Sequence, residues 1–343
     1  MLTFAGLGLS GESSLTNEIV ALLKDADKIY LEGYTSPYEK NTLIKFKVQE
    51  ATREFVEDGR KILDESASKN VVLISYGDPM VATTHMELRV RAEKRGISTN
   101  VLHNSSILSA ISGETGLHSY KFGKTVTAMR GSVAPALSLY FSIHSNLVNG
   151  LHSIILLEYD HGKGSYLSPN EAMNNLVNMD EEQGKSVFGL ESLVLIASRI
   201  GNGSQSVIGG SVKSLSEIDF GDPPHVIILP GELHFTEEEA LRYLLQVPAE
   251  NIRNNSKDVK SPLVEMPAKY IPKAKTAMLK AREKVNLESS PHLAPLFANI
   301  EAYISDSERF LNDGKQELAI LSIGYAEGLL DALRFIGVLD VEW

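Results

Sequence analysis

The sequence predicts two α/β domains followed by a small all-α helical bundle, and three features carry that prediction. Val71–Ile74 is a short apolar, β-branched run that breaks into the turn Gly77-Asp78-Pro79, the pattern of a buried strand in a parallel sheet. Similar runs alternate with helically spaced segments as far as residue 255, as in an open α/β sheet. Beyond residue 268 the strand signal stops and apolar residues recur only at helical spacing.

In chain order, Leu2–Gly11 opens as an apolar strand that dissolves into glycines. Gly6-Leu7-Gly8-Leu9-Ser10-Gly11 has the G-x-G-x-x-G spacing of a dinucleotide fingerprint. A tight turn explains it equally well, because neither Asp25 nor Asp27 ends a clear second strand. Leu15, Ile19, Leu22 and Leu23 mark a helix over 15–26, and Lys28–Leu31 a second strand. Tyr34-Thr35-Ser36 reads as a polar turn, and Ile62–Ala67 as a helix feeding the strand before Gly77. Thr83–Arg89 begins a helix whose N–H groups face the crevice at the strand's carboxyl end, and Met86–Arg95 continues it to a cap at Gly96. Ser98–His103 is the next strand, followed by Asn104-Ser105-Ser106-Ile107 and then Ala110–Gly116.

Gly116–Lys124 bridges to the second domain. Ser153–Leu157 is a strand ending in Glu158-Tyr159-Asp160. Ser168 is an N-cap with Pro169 at the first helical position and Glu171 placed to complete a capping box. Ser192–Ser198 and Val207–Ser211 are strands, and Pro223-Pro224-His225 leads into the strand Val226–Leu229 before Pro230-Gly231. Asn254–Lys260 is polar, with Pro262 and Pro267 after it. Three amphipathic helices follow, marked by Ala274/Met278/Ala281/Val285, by Leu296/Ile300/Ile304 and by Leu318–Ile336. The expected domains are 1–115, 116–255, a linker at 256–268 and a bundle at 269–343.

Composition excludes several classes. The chain of 343 residues carries a net charge of −11, and no Lys/Arg cluster offers a general grip on nucleic acid. No apolar run approaches the ~18 residues of a membrane span, and Met1-Leu2-Thr3-Phe4 has no basic segment ahead of an apolar one. A cytoplasmic location is expected. The absence of cysteine removes disulfides, thiolate nucleophiles and cysteine zinc sites. The nine histidines show no metal-ligand spacing, no nucleophile elbow is present, and no metal is expected.

Gly77-Asp78-Pro79-Met80-Val81-Ala82-Thr83-Thr84-His85 resembles the signature of the diphthine synthase family, tetrapyrrole-methylase-like S-adenosylmethionine methyltransferases of class III. Tyr34-Thr35-Ser36, Gly116–Lys124, Leu167–Met173 and Pro223-Pro224-His225 through Pro230-Gly231 match the same family. Where the family shows Ala-Pro-Ser-Ile, this chain has Asn104-Ser105-Ser106-Ile107, which is expected to relax the loop while keeping the Ser-Ile pair. The resemblance covers about residues 1–255, and the tail resembles an archaeal helical domain of unassigned role.

That resemblance implies a cofactor cleft between the two α/β domains. It implies S-adenosyl-L-methionine as cofactor, with S-adenosyl-L-homocysteine as product, held by Leu9, Asp78, Val81, Ser106, Ile107, Leu157, Ile200 and His225. The turn with Asp78 is expected to meet the amino-acid end or ribose, and Leu9, Val81, Leu157 and Ile200 to form apolar walls. The implied acceptor is the amino nitrogen of a 3-amino-3-carboxypropyl-modified histidine on translation elongation factor 2, methylated to diphthine. A homodimer is expected by the same analogy, and no catalytic residue is assigned. The alternatives are a same-fold methylase acting on a tetrapyrrole or ribosomal RNA, a dinucleotide-dependent oxidoreductase, and a silent binding module using the tail.

Overall fold

The computed structural model describes residues 1–34, 43, 45–131, 133–160, 164–255, 259, 261–285 and 288–338. Thr35 and Ser36 of the Tyr34-Thr35-Ser36 match lie outside the described residues, as do 256–258 and 260 of the expected linker. The chain divides into two compact units, Met1–Val259 and Lys260–Trp343.

The N-terminal lobe of the first unit contains β1 (Leu2–Gly6), α1 (Asn17–Asp25), β2 (Lys28–Glu32), β3 (Val48–Ala51), α2 (Arg53–Asp58), α3 (Arg60–Ser66), β4 (Val71–Ser75), α4 (His85–Lys94), β5 (Thr99–Leu102) and α5 (Ile107–Thr115). Its sheet is all parallel in the order β3-β2-β4-β1-β5. Both faces are covered, so β1 and β4 are buried along their whole length. Leu2, Phe4, Val71 and Leu73 face one core with Leu88 and Ala92 of α4, and Ala5, Val72 and Ile74 face the other with Ile19 and Leu23 of α1. The carboxyl ends of β1 and β4 break together, tied by a bridge between Gly8 and Gly77. Gly6 has no alternative there, since a Cβ on it would sit 2.4 Å from the Gly77 carbonyl oxygen.

The C-terminal lobe contains β6 (Val126–Ala128), α6 (Val133–Val148), β7 (Ser153–Leu157), β8 (Tyr159–Asp160), β9 (Ser165–Tyr166), α7 (Pro169–Gln183), β10 (Leu193–Ser198), β11 (Ser206–Ser211), α8 (Val212–Leu215), β12 (His225–Leu229), α9 (Phe235–Tyr243) and α10 (Ala249–Asn254). Its main sheet has the order β11-β10-β12-β7-β6 and is mixed: β6 and β7 are parallel, the other pairs antiparallel. One face packs on Tyr140, Ile143, Met173 and Phe188, and the other on Ile111 of α5, Leu241 of α9 and Ile252 of α10. The second of these cores also holds Leu9 and Ile200, so apolar packing joins the lobes.

The bridge between the lobes is anchored by a buried carboxylate. Glu237 accepts from Lys121 Nζ at 2.7 Å, His152 Nε2 at 2.9 Å, and the backbone N–H groups of His118 and His234 at 2.7 and 2.8 Å. Burial alone raises a carboxyl pKa, but these donors outweigh it and hold Glu237 down at about 2. His152 is pushed below its ordinary value by burial and accepts the Gly231 N–H on Nδ1.

Among the described residues the second unit holds three α-helices, α11 (Pro262–Lys284), α12 (Ala294–Asn312) and α13 (Gln316–Phe335), around a core of Ala274, Met278, Phe297, Ile300, Ile323 and Leu330. No helix among the described residues is long and apolar enough to cross a membrane.

Several local expectations are corrected. Residues 262–268, expected as linker, form the first turns of α11, because Ser261 caps the N-terminus and Pro262 takes the first helical position. Pro267 and Pro272 lie inside that helix. Glu171 does not close a capping box: Ser168 accepts the Glu171 N–H, but the carboxylate pairs with Arg130 at 2.6 Å. α4 begins at His85, leaving Thr83 and Thr84 in the turn. Several elements went unanticipated, among them the edge strand β3, whose Val-Gln-Glu-Ala has no apolar run, and α6, whose polar face is only a few serines in a mostly apolar sequence.

Candidate functional site

The carboxyl-end loops of the first sheet meet the second sheet across a cavity of about 410 Å³. Leu9, Asp78, Val81, Ser106, Ile107, Leu157, Ile200 and His225 all line it, five from the N-terminal lobe and three from the C-terminal lobe. Ligand cavities run from ~300 to ~1,000 Å³ with apolar walls and a few placed polar groups. This one is of that kind. It also lies where open α/β sheets bind ligands.

Asp78 organises the N-terminal side. Its Oδ1 accepts the Met80 N–H at 2.9 Å, which closes its own turn. Its Oδ2 accepts from the Asn104 N–H at 3.2 Å and from His103 Nδ1 at 2.8 Å, tying the loop after β4 to the loop after β5. Asn104 extends the tie, with Nδ2 donating to the carbonyls of Gly6 and Ser14 at 3.0 and 2.9 Å. The Asn104-Ser105 pair therefore tightens this loop, contrary to the expected relaxation, because the Asn104 amide reaches carbonyls that an alanine at that position could not. Ser106 caps α5, with its N–H donating to Ser109 Oγ at 3.1 Å.

Leu9 follows the first turn, and its carbonyl accepts the Tyr76 hydroxyl at 2.5 Å. Facing it, Gly201 adopts φ +85°, and a Cβ there would stand 2.6 Å from Leu9 Cβ. That approach seats Ile200 beside Leu9. Gly11 leads only into a 3-10 turn, Gly11–Ser14, and α1 starts later at Asn17. The G-x-G-x-x-G stretch thus lacks the helix N-terminus a dinucleotide fingerprint needs.

His225 begins β12 and is buried. Its Nε2 lies 3.1 Å from the Gly221 carbonyl and its Nδ1 3.0 Å from Ser198 Oγ. A carbonyl only accepts, so Nε2 carries the proton and Nδ1 accepts from the serine. Burial lowers the pKa and keeps the ring neutral. Arg199 also lines the cavity, but its guanidinium is spent on the carbonyls of Ser204, Phe220 and Asp222. It braces the Pro223-Pro224 turn, whose peptide bond is cis.

Sequence reasoning missed one wall of the cavity, built by Glu32, Tyr34, Arg53 and Glu57. Glu32 Oε2 lies 2.5 Å from His85 Nε2 in a fully buried pair, and His85 Nδ1 lies 2.8 Å from the Pro79 carbonyl. Arg53 stands over the Tyr34 ring, 5.1 Å from its centroid. Burial, and then the Glu32 charge, raise the Tyr34 pKa and keep the phenol protonated. The one sequence signal for this wall was the short polar turn after β2. No group of three or more His, Asp or Glu side chains able to hold a metal ion occurs among the described residues.

Comparison with known proteins gives the same picture. Residues 1–215 match the family described as Tetrapyrrole (Corrin/Porphyrin) Methylases, and residues 269–339 match a family described as Protein of unknown function (DUF357). The chain is 39% identical over 260 residues to a diphthine synthase of Methanosarcina acetivorans, covering 72% of this chain and 97% of that one. It is 36% identical over 257 residues to the diphthine synthase of Methanocaldococcus jannaschii, covering 72% and 99%. A crystal structure of diphthine synthase superposes with a TM-score of 0.65 at 31% identity, covering 74% of this chain and 98% of that one.

Proposed function

The chain belongs to the tetrapyrrole methylase family, among its diphthine synthases, and we propose that it methylates the amino group of a 3-amino-3-carboxypropyl-modified histidine on translation elongation factor 2. It is an S-adenosylmethionine-dependent methyltransferase of diphthamide biosynthesis. The supporting observation is a single cavity lined by both lobes, in which all eight residues expected from the family motifs come together. Residues 1–115 and 116–255 are the two lobes of this reading. A homodimer working in the cytoplasm completes it.

S-adenosylmethionine, when bound, supplies a methyl group already activated on a sulfonium. The chain's residues then have three tasks. Leu9, Val81, Leu157 and Ile200 offer apolar walls to the adenosine part and keep water out. The Asp78 carboxylate holds two loops in register, so their backbone groups and Ser106 present a fixed surface to the polar end. Neutral His225 contributes a ring without charge, suited to an uncharged purine or ribose. Orientation of this kind is worth up to about 7–11 kcal/mol of barrier in favourable cases. The acceptor must arrive as a neutral amine, since an ammonium has no lone pair.

The charge of the cavity argues against a tetrapyrrole or RNA acceptor. Glu32, Glu57, Asp78 and Glu158 line it against Arg53 and Arg199, a poor match for a polycarboxylate or a phosphate backbone. The test is transfer of labelled methyl from S-adenosylmethionine to elongation factor 2 carrying the aminocarboxypropyl histidine, beside unmodified factor, a tetrapyrrole and ribosomal RNA. Label on the modified factor alone supports the reading; label on another acceptor, or on none, refutes it.

A further inference from the structure

Resting on the function just proposed, we propose that the wall built by β2 and α2 is the acceptor subsite, where Arg53 takes the carboxylate and Glu57 with Glu32 takes the amino group of the aminocarboxypropyl side chain. The sheet order carries the first step. With strands arranged β3-β2-β4-β1-β5, the cofactor residues of the N-terminal lobe all come from loops after β1, β4 and β5. Glu32, at the end of β2, and Arg53 and Glu57, on α2 after β3, line the same cavity from the other half of the sheet. They are polar groups in the cavity wall to which the family motifs give no task.

Their arrangement indicates the ligand chemistry. Arg53 and Glu57 stand one helical turn apart, where opposite charges usually pair, yet they form no ion pair with each other. Arg53 instead lies over the protonated Tyr34 ring, 5.1 Å from its centroid. Two opposite charges held near each other but unpaired suit a group carrying both. An α-amino-acid head is such a group, and a planar guanidinium grips its carboxylate with two hydrogen bonds.

Glu32 adds a fixed oxygen behind them. His85 Nδ1 donates to the Pro79 carbonyl, which turns its Nε2 towards Glu32 Oε2, 2.5 Å away. His85 packs against the carboxylate and acts as a positioning residue. Glu32 stands against His85, and Arg53 brings the opposite charge to Glu57. The wall offers both signs of charge, as a zwitterion requires, and it stays matched after methylation, because a trimethylammonium with its carboxylate is still a zwitterion. The Tyr34 ring adds a face for the growing alkylammonium.

The methyl donor carries the same amino-acid head, so the experiment must separate the two. Full-length wild type, Arg53→Ala, Arg53→Lys, Glu57→Gln and Glu32→Gln are each titrated with S-adenosylhomocysteine by calorimetry. They are then assayed for methyl transfer at varied concentrations of the modified factor. Arg53 and Glu57 are exposed, so their variants fold, and the Glu32 variant is checked by its melting temperature. The expected result is homocysteine-product affinity within about twofold of wild type, with the acceptor KM raised about tenfold or more in Arg53→Ala and Glu57→Gln at little changed kcat. Arg53→Lys recovers part of the loss. Unchanged acceptor KM overturns the subsite. So does a tenfold loss of S-adenosylhomocysteine affinity, which would assign these charges to the donor. A wild type that binds S-adenosylhomocysteine but methylates no modified factor refutes the functional reading first, and this inference with it.

Discussion

Replacing Asp78 by alanine separates binding from folding at the centre of the site. The carboxylate accepts two backbone N–H groups, from Met80 at 2.9 Å and Asn104 at 3.2 Å, and a third bond from His103. The His103 side chain is 69% exposed, so water replaces that partner at little cost. The two backbone bonds to a charged acceptor are each worth about 1.5–3 kcal/mol, and they share one loop. Asp78→Ala should therefore lower unfolding free energy by about 2–4 kcal/mol, read by urea denaturation. Because these bonds hold the loops after β4 and β5 together, S-adenosylhomocysteine affinity should fall at least about tenfold, or 1.4 kcal/mol, by calorimetry. Asp78→Asn keeps one acceptor oxygen and should fall between. If stability drops but affinity for S-adenosylhomocysteine stays at the wild-type value, the turn does not shape the donor site and the reasoning fails.

Three further outcomes follow from the same geometry. Glu237, held at about 2 against an ordinary 4.5, should contribute about 3 kcal/mol that is present above pH 4.5 and lost as pH falls towards 2. His152, kept neutral in the fold, adds a loss that begins below its ordinary 6.5; Glu237→Gln should flatten the acid limb of a melting-temperature profile, and an unchanged limb would count against the network. Gly201→Ala should cost about 1–3 kcal/mol and weaken S-adenosylhomocysteine binding, since its Cβ would press on Leu9 at a positive φ; a fully stable, tight-binding variant contradicts that contact. A chain ending at Val259 keeps all the cores of its own unit, so it should melt cooperatively and bind S-adenosylhomocysteine within about twofold of full length, and failure to fold would show the tail is needed.

The site was legible where its chemistry is local in sequence. Leu9, Asp78 and Ser106 sit in loops directly after strands, with Ile107 opening the helix that follows, and a buried strand that breaks into glycine, proline or a capping serine announces such a loop. Leu157, Ile200 and His225 became readable only through the family motifs, because an apolar residue or histidine at a strand end looks the same in any core. The wall of Glu32, Tyr34, Arg53 and Glu57 was not legible, since its members are brought together by a crossover between β2 and α2 that no spacing encodes. The Glu32–His85 pair was hidden for the same reason, its partners lying far apart in the chain. Asp78 was identified, but its work was not: the sequence shows an acid in a turn, and only the fold shows which N–H groups surround it. In the tail, helical spacing sufficed for the existence of three helices, but in α13 it marked the wrong face: Leu318, Leu321, Tyr325 and Ile336 are exposed, while Ala319, Ile323, Ala326 and Leu330 are buried. Pro262 and Pro267 read as linker because proline marks a first turn and a break alike.

A crystal structure of the full chain with S-adenosylhomocysteine tests the central claim most directly. The account predicts the ligand between the two lobes, against the Asp78 turn and Ser106 on one side and Leu157, Ile200 and His225 on the other, with its sulfur facing the Glu32 and Arg53 wall. Density for the ligand elsewhere, or contact with one lobe only, would contradict it.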